Sequence, residues 1–346
     1  MKTPLRSIAL VALSVATLVL PPRAAHSGAM LHVAQHWTIG GDGGWDYLTA
    51  DSASGHLFVS HGAAVEVLDM ASGKRIGRVE PTPGVHGIAI APELGRGYVS
   101  CGRDSSIVVF DVKTFAVVQR VVLPARNPDA IVYEPVSRRV LTFNGGSSNA
   151  CVVDAASGRL LDTLSLAGRP EFAVADGRGR VFANIEDRGE LVEIDPVKPA
   201  VVRRWSLAPG VEPSGLAMDR AHRRLFSGCG NQKLVVSDAD GARVITTLPI
   251  GEGVDACGYD ARRHVAIASN GDGTLTVVRE ESPEYFHLAE TDTTQRGART
   301  MALDPSTSRV FVVTAQFGPP PAPTADRPRP RASILPGTFE VIVLEP

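Results

Sequence analysis

Several kinds of chemistry have no foothold in this sequence of 346 residues. Its four cysteines, Cys101, Cys151, Cys229 and Cys257, form no Cys-x-x-Cys pair. That removes the zinc-knuckle, thioredoxin-like and c-type haem readings. There is no Gly-x-Ser-x-Gly elbow, no His-Glu-x-x-His pair and no phosphate-binding loop, so the commonest hydrolase, zincin and nucleotide-binding signatures are missing. Aromatic residues are scarce at 5%, and a net charge of −2 offers no general field for nucleic acid or a membrane surface. Beyond residue 20 no long apolar run follows a 3.6-residue period, which argues against helices.

What the chain does have is glycine, proline and a returning phrase. The 34 Gly and 25 Pro suit short strands joined by tight turns. An apolar pair leads into a turn and then a second apolar run that usually ends in Asp. It appears as Leu57-Phe58-Val59-Ser60 with Val65-Glu66-Val67-Leu68-Asp69, and again as Gly97-Tyr98-Val99-Ser100 with Ile107-Val108-Val109-Phe110-Asp111. Further copies centre on Leu141/Asp154, Phe182/Asp195, Phe226/Asp238, Ile267/Arg279 and Phe311/Glu345. The steps from Phe58 onward are 40, 43, 41, 44, 41 and 44 residues. Seven units of this length, each with room for four short strands, predict an all-β, seven-bladed β-propeller. The last unit lacks a fourth strand, and residues 32–39 are expected to supply it and so close the ring. The recurrent Asp is expected to cap a turn by bonding the backbone two residues on, not to act as a catalytic acid.

The phrase resembles the YVTN-type β-propeller repeat family, whose members include exported propeller proteins. Tyr98-Val99-Ser100, the run Val85-His86-Gly87-Ile88-Ala89-Ile90-Ala91-Pro92 and Pro213-Ser214-Gly215-Leu216-Ala217-Met218-Asp219 carry the likeness. It covers residues 31–346 and implies a scaffold, with no fixed activity. Two departures stand out. The sixth copy has Arg279 where Asp is usual, and a Pro-rich insert at 317–337 interrupts the seventh. The insert is expected to be an irregular loop on the same face as the channel mouth, with Arg327, Arg329 and Arg331 free to reach a partner.

An address is written at the N-terminus. Lys2 and Arg6 precede an apolar run from Ile8 to Leu20, followed by Pro21-Pro22 and small residues. This is the layout of a secretory signal over residues 1–27, so a periplasmic or secreted bacterial protein with no membrane span after cleavage is expected. In such a compartment Cys229 and Cys257 could pair, or all four cysteines could serve as small buried hydrophobes.

Candidate function sits at the mouth of the central channel. Successive strands A to D are antiparallel, so the D-to-A and B-to-C connections share one face. Counting back from the aligned apolar residue of each blade gives one residue per blade at the start of strand A. These are Asp46, His86, Asp129, Glu171, Ser214, Asp255 and Arg299. The B-to-C turns add His61, Arg103, Glu186 and Asn270 nearby. Asp46, His86, Asp129 and Asp255 have the chemistry to bind a divalent metal, and crowded carboxylates should raise each other's pKa. The expectation is a monomeric, non-catalytic propeller holding a small ligand, a metal ion or a protein partner at this mouth. The alternative is a lactonase-like hydrolase using a metal on the same carboxylates. The repeated Trp docking motif of quinone-cofactor propellers is missing, since only Trp37, Trp45 and Trp205 occur.

Overall fold

The computed structural model describes residues 30–322, 324 and 332–346. The proposed signal segment and the three arginines of the insert lie outside the described residues. Seven four-stranded antiparallel sheets follow one another along the chain, with two single-turn 3₁₀ segments as the only helix among the described residues. Six sheets use consecutive strands. The seventh combines Met301–Asp304, Arg309–Thr314 and Glu340–Glu345 with the N-terminal strand His32–Thr38. The ring is therefore closed by the two ends of the chain, with Trp37 opposite Val341 and Thr38 opposite Glu340.

The strand pattern explains the burial. The middle strands of each blade are buried on both faces, as in His56–His61 and Ala64–Asp69. Their sequences read as continuous apolar runs because each face packs on a neighbouring blade. Phe58, Tyr98, Phe143, Phe182, Phe226 and Phe311 are all fully buried between blades. Burying each such side chain contributes about 2–3 kcal/mol. The outer strands are largely exposed instead, and Val117–Val122 leaves Val117, Val118 and Val122 in solvent.

The turns behave as their side chains dictate. Asp69 Oδ1 accepts from the Ser72 amide at 2.8 Å, and Asp111 Oδ1 from the Thr114 amide at 2.8 Å. Asp154 and Asp195 do the same. These hydrogen bonds, and at Asp69 that of the Ser72 hydroxyl first, hold the Asp69 and Asp111 carboxyls below the usual aspartate range. Gly73 completes the first of these turns at φ +69°, and a Cβ there would lie 2.4 Å from the Trp37 ring. Only glycine meets both demands, and the closing strand packs against that turn.

Backbone hydrogen bonds fix which connections share a face. The Gly62 amide bonds Gly44 O at 2.8 Å, Gly102 bonds Gly84 O at 2.7 Å, and Gly271 bonds Gly253 O at 2.9 Å. Each bond ties a B-to-C turn to the loop entering strand A of the same blade. On the opposite face Met70 bonds Gly55 O, Ala155 bonds Arg138 O, Ala239 bonds Arg223 O and Glu280 bonds His264 O.

The cysteines are four free thiols, three of them buried. Burial pushes the Cys101, Cys229 and Cys257 thiols up to about 12. The Pro-rich insert is more ordered at its neck than an irregular loop. Phe317 pairs with Ile334, Gly318 donates to Ser333 O at 2.8 Å, and Leu335 donates to Gln316 O at 2.8 Å. The Phe317 ring, 6.1 Å from that of Trp45, gives this neck an apolar anchor.

Candidate functional site

The innermost strands are not regular at their upper ends. The pairing of strands A and B skips residues between Trp45 and Leu48, Val85 and Ile88, Pro128 and Ile131, Pro170 and Ala173, Pro213 and Leu216, and Val254 and Ala256. A bulge releases residues from the ladder and re-aims their side chains. The residues released are Asp46, His86, Asp129, Glu171 and Ser214, each with its follower, and Asp255 alone. The same irregularity, repeated six times, brings one polar side chain per blade to the axis.

Hydroxyl and amide side chains on strand B hold these bulges. Ser60 Oγ accepts from the Asp46 amide at 3.0 Å, and Ser100 Oγ from the Gly87 amide at 2.8 Å. Ser100 also donates to Asp129 O, and Ser269 to Arg299 O. Asn184 Nδ2 donates to Ser214 O at 2.9 Å and to Gly215 O at 3.1 Å. Each bridges its own blade or the next. Space is tight there, since a Cβ on Gly215 would lie 2.7 Å from the Ala256 carbonyl carbon.

These strands enclose a cavity of about 310 Å³. Asp46, Asp129, Glu171, Ser214, Asp255 and Arg299 line it, joined by Glu186, Glu212, Tyr47 and Phe172. Tyr47 and Phe172 follow Asp46 and Glu171 by one residue. They come from the first and fourth blades, which meet only at the axis. Their rings stack with centroids 4.4 Å apart and form the floor.

His86 is not among the lining residues but contacts two of them, its Nδ1 2.6 Å from Asp46 Oδ2 and 3.6 Å from Asp129 Oδ1. Burial opposes its charged form, but the hydrogen bond to Asp46 and the fields of Asp129 and Asp46 outweigh it and raise its pKa. Asp255 pairs with Arg299 Nε at 3.2 Å and accepts from Ser214 Oγ at 3.1 Å. Burial, then the charge of Asp46, pushes the Asp129 carboxyl up to about 7. Burial and a hydrogen bond to Glu186 push Glu171 up to about 9. Glu186 in turn meets Arg169 at 2.5 Å. Burial also raises Asp255 against the pull of Arg299.

Of the four residues with metal-binding chemistry, Asp46, His86 and Asp129 bring ligand atoms within 4.8 Å of one another. Asp255 is held apart by Arg299 and Ser214. Three turn residues lie away from the cavity. His61 is 4% exposed and stacks on Phe339 at 4.1 Å, with burial lowering its pKa. Asn270 is fully buried and turns to Thr274 and Thr276, both at 3.1 Å. Arg103 points to solvent. The sequence pattern missed Tyr47, Phe172 and Glu212. The first two sit one place after the aligned slot, where other blades carry Gly87, Ala130, Gly215 and Ala256, and bulk at that position was a readable signal.

No protein-family model matches the chain, and no curated protein matches it. Solved structures do. The WD40 repeats of RRP9 align with TM-score 0.75 at 10% identity, over 91% of this chain and 97% of theirs. U3-55K aligns with TM-score 0.73 at 10% identity, over 90% and 98%. A structure of hydrazine synthase from Kuenenia stuttgartiensis aligns with TM-score 0.66 at 15% identity, over 78% and 92%. The likeness is one of fold. It establishes the β-propeller fold, and at such identities it carries no activity across.

Proposed function

We propose that this propeller binds a small organic cation in the cavity at its mouth, without chemistry. One observation carries the reading. Six carboxyl groups, those of Asp46, Asp129, Glu171, Glu186, Glu212 and Asp255, line the cavity against the single guanidinium of Arg299, above a floor of two stacked aromatic rings. Crowded, partly desolvated acids hold protons that a cation would replace. Aromatic rings attract ammonium and guanidinium groups at close range.

The test uses a quaternary ammonium ion, which stays charged at every pH, titrated calorimetrically beside a carboxylate of the same size. Binding of the ammonium alone is expected. It should weaken in Glu171→Gln and in Tyr47→Ala. Equal binding of the carboxylate, or no binding of either, would overturn the reading.

A second reading has its own support, because Asp46, His86 and Asp129 cluster tightly enough for a divalent metal. That ion is what a metal-assisted, lactonase-like hydrolase would require. Metal analysis of the untagged protein separates the two. A stoichiometric ion lost in His86→Ala favours the metal.

We propose further that the chain is an exported, YVTN-type member of the propeller class. The charged, apolar and small-residue sequence of its first 29 positions supports export, and the phrase around Tyr98 supports the family. Mass spectrometry of the mature N-terminus checks the first point, with an uncleaved chain as the contrary result.

A further inference from the structure

The face opposite the mouth carries a second cluster, where two departures from the repeat converge. Most inner strands end in an acid whose oxygens cap the A-to-B turn. Asp51, Glu134, Asp176, Asp219, Asp260 and Asp304 all accept backbone amides there. Where a side chain three places on also reaches this acid, it is a hydroxyl in the first and seventh blades. Ser54 donates to Asp51 and Thr307 to Asp304, both at 2.6 Å. In the fifth blade that place holds His222, whose Nδ1 lies 2.7 Å from Asp219 Oδ2.

The second departure follows from Arg279, which replaces the usual turn Asp. Without the cap, the C–D hairpin of the sixth blade runs on, and its strands Thr274–Ser282 and Tyr285–Thr293 reach nine residues each. The extension carries Glu280 to the slot that Met70, Ala155 and Ala239 fill in other blades, as the shared backbone bond to the A-to-B turn shows. An apolar place thus holds a carboxylate. Its Oε2 accepts from Tyr259 Oη at 2.7 Å. Its Oε1 is buried without a hydrogen bond and faces His222 Nδ1 at 3.1 Å. That nitrogen has one position for a proton and is already 2.7 Å from Asp219.

The two carboxylates are 3% and 2% exposed, while the His222 ring is 40% exposed and opens the cluster to solvent. Two buried acids sharing one imidazole nitrogen leave an anion without a counter-charge, an arrangement that costs several kcal/mol unless paired or bound to a metal. The three ligand atoms lie within 4.8 Å of one another. Edges of 2.7 and 3.1 Å need to open only slightly to reach the roughly 3.4 Å that a tetrahedron of ligands at about 2.1 Å spans.

We propose that Asp219, His222 and Glu280 form a binding site for a divalent transition metal of the Zn²⁺ class. One imidazole with two carboxylates suits such an ion better than Ca²⁺ or Mg²⁺, which prefer oxygen-only shells. Tyr259 orients the Glu280 carboxylate from behind, and solvent fills the open positions beside His222. The site is separate from the mouth and does not depend on what the mouth binds.

Chelator-treated protein titrated with Zn²⁺ in a calorimeter should take up one equivalent at this site, whatever the mouth holds. His222→Ala and Glu280→Gln should lose it, and Tyr259→Phe should weaken it about 10–100-fold. The double variant His86→Ala/Asp129→Asn at the mouth should keep it. Glu280→Gln relieves a buried charge, so it should melt no lower than the parent in chelator, which separates loss of binding from loss of fold. Absence of stoichiometric binding overturns the proposal. So does an equivalent that survives Glu280→Gln and disappears with the mouth variant.

Discussion

Single side chains on strand B do much of the positioning at the mouth. Ser100 serves two bulges at once, through the Gly87 amide and Asp129 O. Ser100→Ala would leave both buried groups without that partner, and urea unfolding should show a loss of about 1–3 kcal/mol. An unchanged midpoint would mean the bulges hold themselves. The mouth acids also set a pH dependence. Unfolded, Asp129 and Glu171 would release their protons near about 4, whereas folded they hold them up to about 7 and about 9. His86 is likewise raised, so it too binds more protons when folded. Where the folded state binds more protons, stability falls as pH rises. Melting temperature should therefore decline from pH 5 through pH 9, with Glu186, Asp129 and Asp255 as the groups facing Glu171. Glu171→Gln should flatten the upper part of that decline. A profile that rises over this range would refute the assignment. Binding of a permanent cation should change in the opposite sense, stronger at pH 9 than at pH 6, because ionised carboxylates attract it. The slot residues Asp46, Asp129, Glu171 and Asp255 were legible because one alignment fixes their register. The residues that hold them were not, since a Ser or Asn inside an apolar strand reads as noise until its partner strand is known.

Among elements, the closing strand His32–Thr38 carries the seventh blade. It is exposed along most of its length, but Trp37 is 7% exposed and lies 5.6 Å from Phe311, with Arg309 over its ring. Trp37→Ala should cost about 3–5 kcal/mol, as large-to-small core changes do. Denaturant melts check it, and a cost below about 1 kcal/mol would mean the ring closes through backbone pairing alone. The role of this strand was legible because the repeat count left one blade short by one strand. The neck of the Pro-rich insert was not, because Phe317 and Ile334 pair across residues that give no periodic signal. Excising residues 320–332 while keeping that neck should leave the melting temperature unchanged, since loop length affects closure only slowly. A marked fall would show that the excised segment packs on the body.

At the level of the whole molecule, the seven-fold period fixed the architecture, since a unit of about forty residues with four strands can bury its faces only by stacking in a ring. The interior of the channel followed different rules. Tyr47 and Phe172 belong to blades three apart in the ring, and no comparison within a blade could show that they touch. The same limit hid the cluster of Asp219, His222 and Glu280, which spans two blades and depends on a hairpin that grew by a few residues. Repeats announce what every blade shares, whereas specific sites arise where single blades depart and their departures meet.

The ring-on-ring contact of Tyr47 and Phe172 has a consequence for traffic. The pair reaches across the axis from blades three apart and narrows the way below the cavity. A solute that enters is therefore expected to leave by the rim it crossed. Escape is then governed at one doorway, and anything seated on that rim would trap the occupant beneath it.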